Sequence, residues 1–249
     1  MNVYGLIGYP LEHSFSKKYF TKKFEDEKRN DCRFELFPIE NISRLPGLLN
    51  REKELKGLSV TIPYKETVIP YLNSLQPEAK ETGAVNSIKI DGEKLSGYNT
   101  DIIGFEKSFS PLLQSHHKKA LVLGNGGASK AVQYVLRKLA IPYLIVSRGN
   151  SVHENIIPYS RLDKKTITEY PVIINASPVG MFPNSSGCPE IPYQHLTGKN
   201  LLFDLIYAPA MTRFLELGLA QGASIKNGYD MLILQAEASW QIWNDSATQ

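Results

Sequence analysis

The 249 residues are enough for one large or two small domains, and 42% apolar residues suffice for ordinary cores. A net charge of +3 is too small and too dispersed to argue for a nucleic-acid partner, and none is expected; a pI of 8.7 fits a protein that handles anionic small molecules. Cys32 and Cys188 lie far apart with no Cys-x-x-Cys and no clustered His, which points to a reducing compartment and no structural metal. The opening residues have no basic region before their short apolar run, and no run reaches the roughly eighteen apolar residues of a membrane span. Neither a signal peptide nor a membrane anchor is expected, and a cytoplasmic location is.

Val3 to Gly8 predicts a first buried strand. A loop with Glu12, His13, Ser14, Phe15 and Ser16 leads into a helix to about Lys28, with Tyr19, Phe20 and Phe24 on one face. Ser14 or Ser16 can cap that helix, or can serve a ligand. Phe34 to Ile39 predicts a second strand, and Asn41 or Ser43 caps a helix running toward Glu54. Gly57 to Ile62 is a third strand, halted by Pro63. Strand and helix in alternation mark an α/β protein. Ala84 to Ile90 and Lys94 to Tyr98 then form a hairpin across Asp91-Gly92. Thr100 or Asp101 can cap the next helix, Ile102 to Leu113, which ends at a polar linker, Gln114 to Lys119, near a change of domain.

Ala120 to Leu123 is a short apolar strand feeding straight into Gly124-Asn125-Gly126-Gly127-Ala128-Ser129 and then a helix with apolar residues from Ala131 to Leu139. This is the entrance to a dinucleotide site. Gly124 permits the tight turn, and Gly126 removes the side chain that would hold the backbone away from a pyrophosphate at the positive end of the helix. Ser129 stands where a third glycine or alanine is usual. After the next strand, Pro142 to Val146, the chain presents Ser147 and Arg148 where an NAD enzyme would offer Asp or Glu to the ribose. A guanidinium meets a 2′-phosphate with two parallel bonds, each charge-assisted bond contributing about 1.5 to 3 kcal/mol. That is a roughly ten- to hundredfold preference for NADP. The other reading of Arg148 is a solvated residue at a strand end.

Val172 to Asn175 and Leu201 to Leu205 are further strands, separated by a Pro-, Gly- and Ser-rich loop, Ser177 to Gly198, long enough to line a site or to move. A helix is expected to begin at Pro209 and to run from Met211 to Leu219. Gly228 introduces a last helix, Tyr229 to Trp243, with Leu232, Gln235, Ala236 and Ser239 on one face.

A nicotinamide performs the hydride step itself, so the protein must hold the substrate and move one proton. Lys65, just past Pro63, and Asp101, in Gly97-Tyr98-Asn99-Thr100-Asp101, are the candidates. By residue type alone, Lys65 also reads as a solvated loop lysine and Asp101 as a helix cap.

Taken together, the motifs resemble the shikimate dehydrogenase family over nearly the whole chain. Ser14-Phe15-Ser16 matches Ser-x-Ser, Ser59 to Lys65 matches Asn-Val-Thr-x-Pro-x-Lys, and Gly83 to Asn86 and Gly97 to Asp101 follow at the usual distances. Gly124 to Ala128 matches the phosphate loop, Asn175 to Met181 the segment beside the nicotinamide, Asp204 to Pro209 the Asp-x-x-Tyr-x-Pro run, and Gly228 to Ala236 the start of the last helix. The resemblance implies an α/β protein of two domains with the active site in the cleft. The first is an N-terminal α/β substrate domain over residues 1–103, and the second a Rossmann-like NADP-binding domain over 104–229. A C-terminal helix, residues 230–249, returns to the first domain. It also implies NADPH-dependent reduction of 3-dehydroshikimate to shikimate, a step in making aromatic amino acids, by a monomer or homodimer. Lys65 and Asp101 become the catalytic pair, with Lys65 as proton donor. Ser14, Ser16, Thr61, Asn86, Tyr207 and Gln235 become hydrogen-bonding partners of a small polyol acid. Gly124, Asn125, Gly126, Gly127, Ala128, Ser147, Arg148, Leu205 and Gly228 fall to the cofactor. Ser59 in place of Asn, Ser147 before Arg148, and the lack of a second nearby basic residue depart from the family pattern. They leave open a quinate/shikimate enzyme using NAD; a non-catalytic ligand sensor is a remoter alternative.

Overall fold

The computed structural model describes residues 1–11, 14–148 and 155–245, so Glu12 and His13 of the first loop lie outside the described residues. The chain divides into two compact units, Met1–Thr100 with Ala236–Gln249, and Asp101–Gln235.

In the first unit the elements are β1 (Asn2–Gly8), α1 (Phe15–Asp26), β2 (Cys32–Pro38), α2 (Leu45–Arg51), β3 (Leu55–Val60), β4 (Ser74–Leu75), α3 (Pro77–Thr82), β5 (Ser87–Asp91) and β6 (Lys94–Tyr98). The sheet order is β2-β1-β3-β5-β6-β4. β1 pairs in parallel with β2 and β3, while the β5–β6 hairpin adds antiparallel strands across Asp91-Gly92, where Gly92 has φ +60°. Alternate residues bury on opposite faces of the sheet, as period two requires. Val3, Ile7, Leu58 and Val60 meet Leu45 and Leu48 of α2 on one face. Tyr4, Leu6 and Phe34 meet Phe20 and Phe24 of α1 on the other, together with Ala236, Trp240 and Trp243 from the end of the chain.

The second unit runs α4 (Asp101–Phe109), β7 (Ala120–Leu123), α5 (Gly127–Lys138), β8 (Tyr143–Ser147), β9 (Ile156–Pro158), α6 (Lys164–Glu169), β10 (Val172–Asn175), β11 (Leu201–Asp204), α7 (Arg213–Ala220), β12 (Ser224–Lys226) and α8 (Tyr229–Asn244). α8 passes into the first unit after Gln235. The strand order is β12-β11-β10-β7-β8-β9, parallel throughout the described residues. Helices cover both faces. Phe105, Phe109, Val132, Val135 and Met231 pack on one, and Ile167, Phe214 and Leu215 on the other. Both faces being apolar explains why these strands read as continuous apolar runs. Asp101 and its helix belong here because Ile102 and Phe105 bury in this core.

This is the α/β fold expected from the sequence, including a last helix whose tryptophans bury with the first unit's aromatic residues. Two expected helices differ. The helix expected at Pro209 begins at Arg213, behind Thr212, whose hydroxyl accepts from the Leu215 amide. Residues before it are held out of helical geometry by tertiary bonds, among them Asn227 Nδ2 to the Ala210 carbonyl at 2.9 Å. The helix expected to reach Glu54 is a 3₁₀ turn, Ile42–Arg44, capped by Asn41 and followed by α2. β4, β9, β12, α3 and α6 are too short for periodicity to announce them. No described helix is long and apolar enough to cross a membrane.

Candidate active site

In an open parallel sheet, ligands bind beyond the carboxyl ends of the strands, at the point where strand order reverses. In the second unit that point lies between β7 and β10. Gly124 leaves β7 with φ +105°, and a Cβ there would stand 3.1 Å from the Ala176 carbonyl oxygen just after β10. A side chain there would be strained by conformation and crowded by the Ala176 carbonyl. Gly126 differs. An added Cβ would meet nothing within 4 Å, so the backbone is open to a ligand at the start of the twelve-residue α5, and no side chain caps that end. Amides of Gly127 and Ala128 at a helix N-terminus suit a pyrophosphate. The unusual Ser129 is fully buried, and its hydroxyl donates to the Gly124 carbonyl at 2.8 Å, so it ties the turn to the helix. Ser147 ends β8, and Arg148 follows it, exposed. These residues fit a dinucleotide.

Gly228 has a packing reason of its own. A Cβ there would lie 2.1 Å from the Leu205 carbonyl oxygen, and its amide donates to the Ile206 carbonyl at 3.0 Å. Tyr207, half-buried, follows this contact, and burial pushes its hydroxyl above the usual tyrosine range. Gln235, on α8, donates to the Leu232 carbonyl at 2.9 Å.

In the first unit the predicted residues follow β1 and β3. Ser14 occupies the N-cap position of α1 but makes no capping bond, and its buried hydroxyl has no partner among the described residues. The capping alternative is thereby removed for Ser14. Ser16 lies in the first turn, partly buried. The Thr61 amide donates to the Ile7 carbonyl at 3.0 Å, which carries the chain past the end of β3 beside β1. Lys65 is held through its backbone, whose carbonyl accepts from the Val85 amide at 2.7 Å. Asn86 is 4% exposed and grips Thr100: the Thr100 amide donates to its Oδ1 at 2.6 Å, and its Nδ2 donates to the Thr100 hydroxyl at 2.9 Å. That hydroxyl also lies 3.0 Å from Ser239 on α8. Asp101, at the first position of α4, is 6% exposed, where the helix dipole favours a carboxylate.

Reading by residue type missed the Asp204 cluster. Asp204 ends β11, wholly buried, opposite Asn175 in register. The available signal was an acid closing an apolar strand. Burial pushes its carboxyl up to about 6, opposed by hydrogen bonds from Thr212, Ile206 and Asn175. Tyr193 is the ionisable neighbour that feels its charge. Because the folded pKa lies above the unfolded one, this group's contribution to stability is full below about pH 4 and is lost as pH rises through about 6. At about 1.4 kcal/mol per unit, wild type should lose about 2 kcal/mol relative to Asp204→Asn between about pH 4.5 and 7.5. Urea unfolding at several pH values reads this, and parallel profiles for the two proteins would refute it.

Residues 6–88 match the family profile of the shikimate dehydrogenase substrate binding domain. The chain is 36% identical over 252 residues to a shikimate dehydrogenase (NADP(+)) of Staphylococcus aureus, spanning 97% of this chain and 92% of the relative. The chain belongs to the shikimate dehydrogenase family. A second member, shikimate dehydrogenase (NADP(+)) of Clostridium beijerinckii, is 37% identical over 261 residues, covering 98% of this chain and 93% of its own. The crystal structure of shikimate dehydrogenase 1 from Peptoclostridium difficile superposes with a TM-score of 0.86 at 36% identity, over 100% of this chain and 94% of that one. Among the described residues no group of three or more His, Cys, Asp or Glu is placed to hold a metal ion.

Proposed function

We propose that this protein catalyses the NADPH-dependent, reversible reduction of 3-dehydroshikimate to shikimate. The first unit would bind the substrate and the second the cofactor. One observation carries the reading. The family's motif residues follow the carboxyl ends of parallel strands: Ser14 after β1, Thr61 and Lys65 after β3, Gly124 to Ala128 after β7, Arg148 after β8, and Leu205 and Tyr207 after β11.

NADPH, when bound, supplies the hydride. The chain's own residues then have three tasks. Gly124, Asn125, Gly126, Gly127 and Ala128 would hold the pyrophosphate, Ser147 and Arg148 would meet the ribose phosphate, and Leu205 and Gly228 would complete the cofactor's contacts. Ser14, Ser16, Thr61, Asn86, Tyr207 and Gln235 hold the hydroxyls and carboxylate, and Ser14 brings a buried hydroxyl with bonding capacity to spare. Lys65 donates its Nζ proton to the carbonyl oxygen as that oxygen becomes an alkoxide, which prevents negative charge from building up there. Asp101 orients that ammonium and a substrate hydroxyl.

Absorbance of the reduced nicotinamide, followed with shikimate or quinate and NADP or NAD in all four combinations, tests the reading. Turnover confined to quinate would replace the substrate, and binding without any absorbance change would make the protein a sensor. Arg148→Ala should raise KM for NADPH about tenfold or more and leave NADH nearly unchanged. Equal effects on both would remove Arg148 from 2′-phosphate recognition.

A further inference from the structure

The Asp204 side chain is wholly buried and surrounded by three donors from two segments. Its Oδ1 accepts from Asn175 Nδ2 at 3.0 Å and from the Ile206 amide at 3.0 Å, and its Oδ2 accepts from the Thr212 hydroxyl at 2.6 Å. Each donor leads onward. Asn175 Oδ1 accepts from the amide and hydroxyl of Ser177 at 3.1 and 2.7 Å, and its Nδ2 also reaches the Val179 carbonyl at 3.3 Å. Thr212 starts α7 by accepting from the Leu215 amide at 3.4 Å. Ile206 and Thr212 bracket the stretch that carries Tyr207, and Gly228 and Asn227 fasten its carbonyls at Ile206 and Ala210.

A buried charge is unfavourable unless its oxygens are hydrogen-bonded, and an apolar residue of similar volume is often as stable or more so. What a carboxylate does here that an apolar side chain cannot is join two loops at one point. We propose that Asp204 is a positioning residue, whose carboxylate locks the Asn175–Val179 turn and the Tyr207 stretch into a single element that presents Tyr207 to the substrate. The substrate part rests on the function proposed above. With its oxygens engaged by three protein donors, Asp204 acts through Tyr207 rather than on the reacting atoms.

The test compares the full-length chain with Asp204→Asn, Thr212→Val and Thr212→Ser, each shown folded by urea unfolding. Asp204→Asn keeps the oxygen that serves Asn175 and Ile206, and its amide can donate to the Thr212 hydroxyl. Thr212→Val strands Oδ2 without a donor. With saturating NADP, Thr212→Val should raise KM for shikimate about tenfold or more, with a smaller fall in kcat and a smaller change in KM for NADP. Asp204→Asn and Thr212→Ser should stay within about threefold of wild type. Amide hydrogen exchange reads the coupling without substrate. Thr212→Val should speed exchange in both the 176–181 and 205–212 segments and leave β7 unchanged. Faster exchange at 205–212 alone, or an unchanged KM for shikimate despite lost stability, would overturn the proposal. A wild-type protein that does not turn over shikimate would sink the function while leaving the exchange result to judge the coupling.

Discussion

Lys65→Ala is expected to lower kcat by about 10²- to 10⁴-fold, or about 3 to 5 kcal/mol, while NADPH still binds. The size follows from what the side chain is asked to do. Reduction of a ketone places negative charge on oxygen, and a positioned acid that gives up its proton as that charge forms removes a barrier of this order. The backbone around Lys65 is held by groups besides its side chain. Tyr64 is buried and its hydroxyl donates to the Ile39 carbonyl at 2.5 Å. The Val68 amide bonds the Tyr64 carbonyl at 3.0 Å, and the Val85 amide bonds the carbonyl of Lys65 itself. An alanine at 65 keeps all of these backbone bonds. Single-turnover absorbance with NADPH and 3-dehydroshikimate, paired with a fluorescence titration of NADPH, separates chemistry from cofactor binding. Turnover near that of wild type would remove Lys65 from the proton step and, with it, the pairing with Asp101.

The second large effect is on stability. Gly228→Ala should destabilise the cofactor-free protein by about 3 kcal/mol, the upper part of the usual range for overpacking. The added methyl would stand 2.1 Å from the Leu205 carbonyl oxygen and 2.6 Å from its carbonyl carbon, and both are backbone atoms that no rotamer change can move aside. The Gly228 amide is committed to the Ile206 carbonyl, and its carbonyl accepts from the Leu232 amide in the first turn of α8, which leaves the glycine little room to retreat. A family motif at a nucleotide site invites a cofactor role for this residue, and denaturation without cofactor distinguishes the two explanations. A loss below about 0.5 kcal/mol, together with a raised KM for NADPH, would assign the glycine to the cofactor instead of to packing.

These two positions show how much of the site could be read from residue order. Pro63 stops a strand shortly before Lys65 and so marked it as a candidate, but its role came from the resemblance to the family; the Gly124 turn was legible because an apolar run enters glycine and then a helix. Apolar runs also marked β7, β8, β10 and β11 of the second sheet, since strands covered on both faces must be apolar throughout. The same signals could not decide whether Ser14 caps α1, because a capping serine and a binding serine look alike in a sequence; only the unsatisfied buried hydroxyl separates them. Nor could they show that Ser129, the departure from the glycine pattern, closes the turn by bonding to Gly124.

By itself, then, the order of residues determined the α/β class and the nucleotide turn, because those depend on local conformation and on short-range patterns, while the candidate donor and acceptor set came from the resemblance to the family. Tertiary structure alone decided the Asp204 junction, the delayed start of α7 and the reason for Gly228. Each arises where segments distant in the chain meet at van der Waals or hydrogen-bond distance, and the partner that gives such a residue its meaning is nowhere near it in sequence.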